Sequence, residues 1–212
     1  MEHCIKFIKP YMFEGKKHEG VDLAGLRKLS TKDYFAAQVE VGRVQRVHMA
    51  SMAFLNALAS VAAGRPRSFF GGIAGADAFR VPRKVKAMIE DIEDEEAEQD
   101  GLRINFKRPG AFGKKLDLSR LREMTSDEFV QAEEMIGFDE WSGSDDVVSI
   151  KYACAVAAIA LCPEKPDEQL SKLMEAPFWV GTFILDVVQS FFGQSGSEEE
   201  ERKAEEPSET TS

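Results

Sequence analysis

The sequence predicts a mainly α fold of the α+β type, built from two repeated units and followed by a disordered acidic C-terminal tail. Three observations predict this fold. A segment of the first half recurs in the second half, an alanine-rich segment follows each copy, and the last residues lack any large apolar side chain. Each unit is expected to be a small β-hairpin followed by about three helices. A chain of 212 residues with 43% hydrophobic content can hold two small units.

The repeat is clearest at residues 21–38, which align with residues 116–133. Both segments contain Asp-Leu-x-x-Leu-Arg, and Tyr34 aligns with Phe129. Other matches lie on both sides of this segment in the same order: Phe7-Ile-Lys-Pro10 with Phe106-Lys-Arg-Pro109, Ala53–Ala63 with Tyr152–Cys162, and Phe79-Arg-Val81 with Phe178-Trp-Val180. Because the order is kept throughout, the sequence predicts a tandem duplication.

Charge separates the predicted units. Residues 1–89 form a basic unit with 15 Lys+Arg against 7 Asp+Glu, and residues 101–193 form an acidic unit. Between them, residues 90–100 carry eight acids and no base, as expected of an acidic linker or a helix extension. Residues 194–212 are expected to be the disordered tail. The net charge of −10 argues against nucleic-acid binding, which depends on Lys and Arg contacts to phosphates.

Turn and cap signals predict the elements within each unit. A proline and a Gly-Lys turn separate two short extended segments, which indicates a β-hairpin. A helix is expected to begin at Ser30 and again at Thr125, since Asp33 and Glu128 complete the spacing of a capping box. The next helices are expected at Val47–Ala63 and Val147–Leu161, and the third helices at Ala76–Ile92 and Ala176–Phe192.

No pattern of chemically active residues predicts an enzyme. The three histidines match no nucleophile–base signature, and the three cysteines have no zinc spacing. The loop Gly71–Gly75 lacks the Lys-Ser/Thr of a phosphate-binding loop. We therefore predict no catalytic residue, no metal site and no cofactor. We also expect no signal peptide, no membrane span and reduced thiols.

The third helix of the second unit is apolar on nearly every side. Arg80 and Lys84 in the first unit align with Trp179 and Phe183 in the second. Two interpretations are open: the extra apolar face docks the second unit on the first, or it receives an apolar segment of another protein. In the second interpretation the partner-binding residues are Phe178, Trp179, Phe183, Phe191 and Phe192.

The same order of features resembles the tail assembly chaperones of tailed bacteriophages. It consists of a Phe-x-Lys-Pro strand, a Gly-Lys turn, the Asp-Leu-x-x-Leu-Arg segment, an alanine-rich helix and a closing helix after a phenylalanine. The resemblance covers residues 1–193, whereas usual members resemble a single unit. It implies a protein that binds the tape measure protein while the tail is built and helps to recruit tail tube subunits. Such proteins act in the host cytoplasm and are generally absent from the mature virion.

An alternative belongs to a different class. The repeated units could form a structural or regulatory helical homo-oligomer with no chaperone role, and the sequence leaves self-association open. The sequence does not identify the host or phage, the oligomeric state, or whether a frameshifted longer product exists.

Overall fold

Two small antiparallel sheets and eight helices make up the part of the chain that the computed structural model describes, residues 3–41, 51–137 and 149–205. Side chains are described for these residues except at 110 and 194–205. The prediction of a mainly helical chain with small β-hairpins is confirmed. The starts predicted for the two alanine-rich helices, at Val47 and at Val147, lie outside the described residues.

The first half opens with an antiparallel hairpin and continues with helices. A 3-10 turn at Ala24–Lys28 connects the hairpin to the first helix. The elements are β1 (Cys4–Phe13), β2 (Lys16–Asp22), α1 (Thr31–Val41), α2 (Met52–Ala63), α3 (Arg67–Gly71) and α4 (Asp77–Glu96).

The second half shows the same order of elements after one additional strand. Its sheet has three strands in the order β3-β4-β5, and a 3-10 turn at Ser119–Glu123 again precedes the helices. The elements are β3 (Ala97–Asp100), β4 (Arg103–Gly110), β5 (Gly113–Asp117), α5 (Ser126–Ile136), α6 (Ile150–Leu161), α7 (Pro166–Glu175) and α8 (Phe178–Glu205).

The hairpins of the two halves also share their register. Cys4 lies opposite Asp22 in the first hairpin, and Arg103 lies opposite Asp117 in the second. Each hairpin then has an irregularity before its turn. At the end of each second strand the aspartate side chain accepts a hydrogen bond from the backbone N–H two residues later, which turns the chain into the 3-10 segment.

Helix starts follow the predicted capping chemistry. Thr125 and Glu128 form a reciprocal capping box at the start of α5. At the start of α1 the Asp33 carboxylate accepts from the backbone N–H and the hydroxyl of Ser30.

The caps of the next helices correct the alignment of the two halves by one residue. Ser51 accepts a hydrogen bond from the N–H of Phe54, and Ser149 accepts one from the N–H of Tyr152. The caps therefore match Phe54 with Tyr152, whereas the sequence comparison matches Ala53 with Tyr152.

The acidic run at residues 90–100 is ordered secondary structure and not a free linker. Its first seven residues are the last part of α4, and its last four form β3, which pairs with β4. Ile92 and Ala97 are buried and anchor the run to the core. An ion pair of 2.8 Å between Arg27 and Glu95 offsets part of its negative charge.

The two halves share one apolar core, in which buried side chains from both hairpins and from the helices of both halves form a single cluster. Beyond the core, the backbone of α8 continues as a helix to Glu205. Residues 206–212, the rest of the tail for which disorder is predicted, lie outside the described residues. No helix in the described part of the chain is both long and apolar enough to span a bilayer.

Candidate partner-binding surface

The two halves meet where α8 begins. The ring of Phe178 stacks on that of Tyr34, with centroids 6.1 Å apart and planes inclined by 3°. Backbone hydrogen bonds join the same segments, from Phe178 N to Leu29 O at 2.9 Å and from Thr31 N to Ala176 O at 2.8 Å. We call this contact between α1 and the start of α8 the internal junction. It combines apolar stacking with satisfied backbone groups, as in a protein core.

Gly181 permits the close approach of the helices at the internal junction. A β-carbon at this position would overlap the side chain of Thr31 and would lie 2.9 Å from Cδ1 of Ile150. Both of these residues are fully buried. Glycine is therefore required here by space and not by backbone conformation.

One of the five residues predicted to bind a partner, Phe178, lies in the internal junction. Phe178 is only 1% exposed, so the chain itself covers this ring and the predicted partner contact is wrong for this residue. The physical reason is that the start of α8 docks on the first half, which was the other interpretation of its apolar face. Trp179, Phe183, Phe191 and Phe192 are instead half-buried.

One side of α8 points away from the core. Trp179, Phe183, Asp186 and Ser190 are spaced by four, three and four residues, so they share one side of the helix. Phe183 is half-buried, and Asp186 and Ser190 are exposed. We call Trp179, Phe183 and Asp186 the outer stripe. The structure thus brings two of the predicted partner residues together on one accessible side.

Trp179 is fixed at the first turn of the outer stripe. Its ring meets Phe106 of β4 edge-on, with centroids 5.5 Å apart and an interplanar angle of 73°. The next turn is held by the hydroxyl of Thr182, which lies 2.6 Å from Oε1 of Glu93 and 3.0 Å from the carbonyl oxygen of Trp179. A positioned aromatic ring loses little conformational entropy when it binds another apolar surface.

Two carboxyl groups near the outer stripe, those of Glu93 and Asp186, have raised pKa values. Burial raises the pKa of Glu93, and the neighbouring negative charges of Asp186, Glu90 and Asp94 raise it further, while the hydrogen bond from Thr182 lowers it. Loss of hydration also raises the pKa of Asp186. Burial, together with the charges of Glu93 and Asp186, raises the pKa of Tyr34. These groups form a coupled acidic cluster beside the internal junction.

A second aromatic surface lies about midway along α8. The Phe192 ring lies 5.7 Å from that of Phe129 on α5 and 5.8 Å from that of Phe191, measured between centroids. The neighbouring Val130 is 50% exposed. We call Phe129, Val130 and Phe192 the distal patch. It contains one of the predicted partner residues and lies beside another, Phe191, so α8 carries its accessible aromatic residues on two separate surfaces.

Other features of the described chain also bear on its chemistry. Burial raises the pKa of the Cys154 thiol to about 12, so the sulfur stays protonated and unreactive at neutral pH. No group of His, Cys, Asp and Glu among the described residues has the geometry of a metal site. The segment from Gly71 to Gly75 begins with the last residue of helix α3 and does not follow a strand, unlike a phosphate-binding loop. A depression of about 530 Å³ lies on the first hairpin between Cys4 and Asp22, but it is shallow and open.

Comparison with known proteins gives no relative from which to transfer a function: no family model, no curated protein and no solved structure matches the chain.

Sequence reasoning missed two residues that hold the start of α8 in place, Glu93 and Tyr34. Glu93 was assigned to a solvated acidic run, and Tyr34 was noted only as the repeat counterpart of Phe129. The aromatic pair Tyr34 and Phe129 at matching positions could have identified Tyr34 as a packing position, because large aromatic side chains dominate the energetics of protein cores.

Proposed function

We propose that the protein is a non-enzymatic tail assembly chaperone of a tailed bacteriophage, which binds the tape measure protein in the host cytoplasm and leaves before the virion is complete. The resemblance of residues 1–193 to that family supports the proposal. Help in recruiting tail tube subunits belongs to the same proposal.

We further propose that the two halves arose by tandem duplication of one unit. The shared order of elements, the shared hairpin register and the matching serine caps support this origin. If the halves have this common origin, they keep the same order of helices. Positions at which matching residues differ in charge or polarity then indicate where the two halves have different functions.

The observation that carries the proposed function is the change of charge to aromatic character along the outer stripe. Arg80 and Lys84 of α4 have Trp179 and Phe183 as counterparts on α8, where both are half-buried. An accessible pair of aromatic residues on a fixed helix favours an apolar, helical partner segment, as in helix-in-groove recognition. The tape measure protein expected from the resemblance is long and prone to aggregate, which fits this chemistry.

Co-expression with the large helix-rich tape measure candidate encoded nearby tests the proposal. We expect the candidate to aggregate when expressed alone and to remain soluble, bound to this protein, when the two are expressed together. Recovery of this protein from purified particles, with no soluble complex, would instead support the structural alternative.

A double variant locates the binding surface. Trp179→Arg with Phe183→Lys restores the charges of the first half, and we expect capture of the candidate to fall about tenfold or more while helical content is retained. Met12→Asp, at an exposed residue of the first hairpin, is the matched control and should leave capture unchanged. Unfolding of the double variant would place both side chains in the core and contradict this assignment.

A further inference from the structure

The outer stripe changes from aromatic to acidic character along α8. Trp179 and Phe183 lie on its first two turns, and Asp186 follows Phe183 by three residues on the same side of the helix. Phe183 is half-buried and Asp186 is exposed. A segment that covers the aromatic pair therefore also covers this carboxylate, and burial of a charge without an opposite charge is unfavourable.

A second carboxylate lies close to Asp186 on the neighbouring helix α4. Oε1 of Glu93 accepts a hydrogen bond of 2.6 Å from the hydroxyl of Thr182, and Asp186 follows Thr182 by one helical turn. Burial raises the pKa of Glu93, and the negative charge of Asp186 raises it further. The two helices thus place two like charges beside the aromatic pair.

No basic side chain of the described chain neutralises these two carboxylates. Within residues 3–41, 51–137 and 149–193, neither Glu93 nor Asp186 forms an ion pair with Lys, Arg or His. The neighbouring basic residues are paired with other acids: Arg27 with Glu95, Lys86 with Glu90, and Lys107 with Glu98. The surrounding chain is also acidic, since residues 90–100 contain eight acids and no base. The outer stripe therefore has an unbalanced negative charge at one end.

We infer that the segment bound by the outer stripe is a basic amphipathic helix, with two apolar residues opposite Trp179 and Phe183 and a Lys or Arg opposite Asp186. This inference rests on the proposed function, because it names the kind of segment that the tape measure protein contributes. The spacing follows from the outer stripe itself. Two apolar residues four positions apart match the aromatic pair, and a base three positions beyond one of them matches Asp186.

A basic side chain suits both neighbours of this position. A guanidinium can donate hydrogen bonds to two carboxylates at once, here those of Asp186 and Glu93. Its planar face can also lie over the ring of Phe183, a favourable contact between a cation and an aromatic ring. An acidic helix with the same apolar residues would be repelled, so the charge selects among apolar helical segments.

Two synthetic peptides test the inference. Both form the same amphipathic helix with two leucines four positions apart. One peptide has arginine three positions before the first leucine and three positions after the second, and the other has glutamine at both places, so either direction of binding is covered. By fluorescence anisotropy with the full chain, we expect the arginine peptide to bind about tenfold more tightly. The difference should shrink as the salt concentration rises.

Asp186→Asn separates a local contact from general attraction to an acidic protein. This variant should reduce the preference for the arginine peptide to about threefold or less, because it removes the acid opposite the arginine. Asp91→Asn removes the same charge from an exposed position of α4 and should keep the full preference. Urea unfolding checks that both variants are folded, and Asp186→Asn should be at least as stable as the wild type, since it removes the repulsion of Glu93.

The outcomes distinguish this inference from the proposed function. Equal affinities of the two peptides for the wild type, or equal preferences in Asp186→Asn and Asp91→Asn, would overturn the inference. Absence of binding by both peptides, while the tape measure candidate is captured in co-expression, would also overturn it and leave the proposed function standing. A preference that depends on Asp186, with no capture of the candidate, would contradict the proposed function and leave a basic helix as the ligand of the outer stripe.

Discussion

Gly181 is the residue at which α8 comes closest to the first half of the chain. Its backbone lies against Thr31, whose own N–H and hydroxyl are directed to carbonyl oxygens at the end of α7 and the start of α8. Thr31 therefore cannot move aside without losing hydrogen bonds. Because Gly181 has no side chain, α8 can lie this close to the first half.

Gly181→Ala is expected to lower the free energy of unfolding by about 1–3 kcal/mol, the usual cost of overpacking a core. Gly193→Ala is the matched control in the same helix, because a β-carbon there meets nothing within 4 Å. That control should raise the free energy of unfolding by up to about 1 kcal/mol through helix propensity. Urea unfolding of the two variants measures both effects, and changes of the same sign would contradict the proposed close approach.

Glu93 gives the internal junction a pH dependence. Burial raises its pKa above the usual 4.5, and Asp186, Glu90 and Asp94 raise it further against the lowering effect of the Thr182 hydrogen bond, so the carboxyl binds a proton more tightly in the folded state than in the unfolded chain. A raised pKa contributes stability that is complete below pH about 4.5 and is lost as the pH rises through the folded-state pKa. Tyr34 is also close enough to Glu93 for the two groups to affect each other.

Glu93→Gln should therefore stabilise the protein at pH 7 relative to the wild type, with a gain that disappears as the pH falls below about 4.5. The amide oxygen of glutamine can still accept the hydrogen bond from Thr182. The quantity to measure is the difference in unfolding free energy between variant and wild type across this pH range, which removes the contribution of the other carboxylates. A variant that is less stable than the wild type at every pH would contradict the assignment.

At the scale of elements, the first residue of α4 binds a backbone N–H at the edge of the first sheet. The buried carboxylate of Asp77, at the start of α4, accepts hydrogen bonds from Ile8 N at 2.8 Å and from Arg80 at 2.7 Å. Arg80 in turn donates to the carbonyl oxygen of Lys6 at 3.1 Å. In the second half, β3 pairs with the corresponding edge of β4. The two halves thus satisfy equivalent strand edges by different means.

Asp77→Ala should lower the free energy of unfolding by about 1–3 kcal/mol, since it leaves the N–H of Ile8 without its acceptor. Asp91→Ala, at an exposed position of the same helix, is the control and should change stability by less than about 0.5 kcal/mol. Thermal or urea unfolding compares the two variants. Equal changes in the free energy of unfolding for the two variants would show that the hydrogen bond between Asp77 and Ile8 does not stabilise the fold.

Short-range sequence patterns predicted the helices and strands better than they predicted the tertiary contacts between them. The hairpins and the starts of α1 and α5 depend on turn and cap residues a few positions apart, such as Ser30 with Asp33, so the sequence contains them directly. The helices α3 and α7 and the strand β3 were not predicted. Strand β3 follows acidic residues with little β-propensity and forms because the edge of β4 is available, which is a tertiary effect.

The candidate site could be predicted only in part, because the exposure of its residues also depends on tertiary packing. Phe79 and Phe178 are the same residue type at matching positions, yet one is exposed and the other is buried. Their difference comes from how the halves pack, which no local pattern contains. The sequence did indicate that Trp179 and Phe183 replace charged residues, and the structure leaves both partly accessible on the outer stripe.

At the scale of the whole molecule, the chain combines one shared core with three accessible apolar surfaces. Phe79 at the start of α4 is 56% exposed and marks one of these surfaces, and the distal patch is another. The outer stripe lies on a different side of α8.

Photo-crosslinking within the complex tests the central claim, partner binding through the outer stripe, most directly. A photoreactive amino acid would replace Phe183, and in a control protein Met12, during co-expression with the tape measure candidate. We predict a covalent product with the candidate from position 183 and none from position 12. No product from position 183, or equal products from both positions, would contradict the claim that the outer stripe receives the partner.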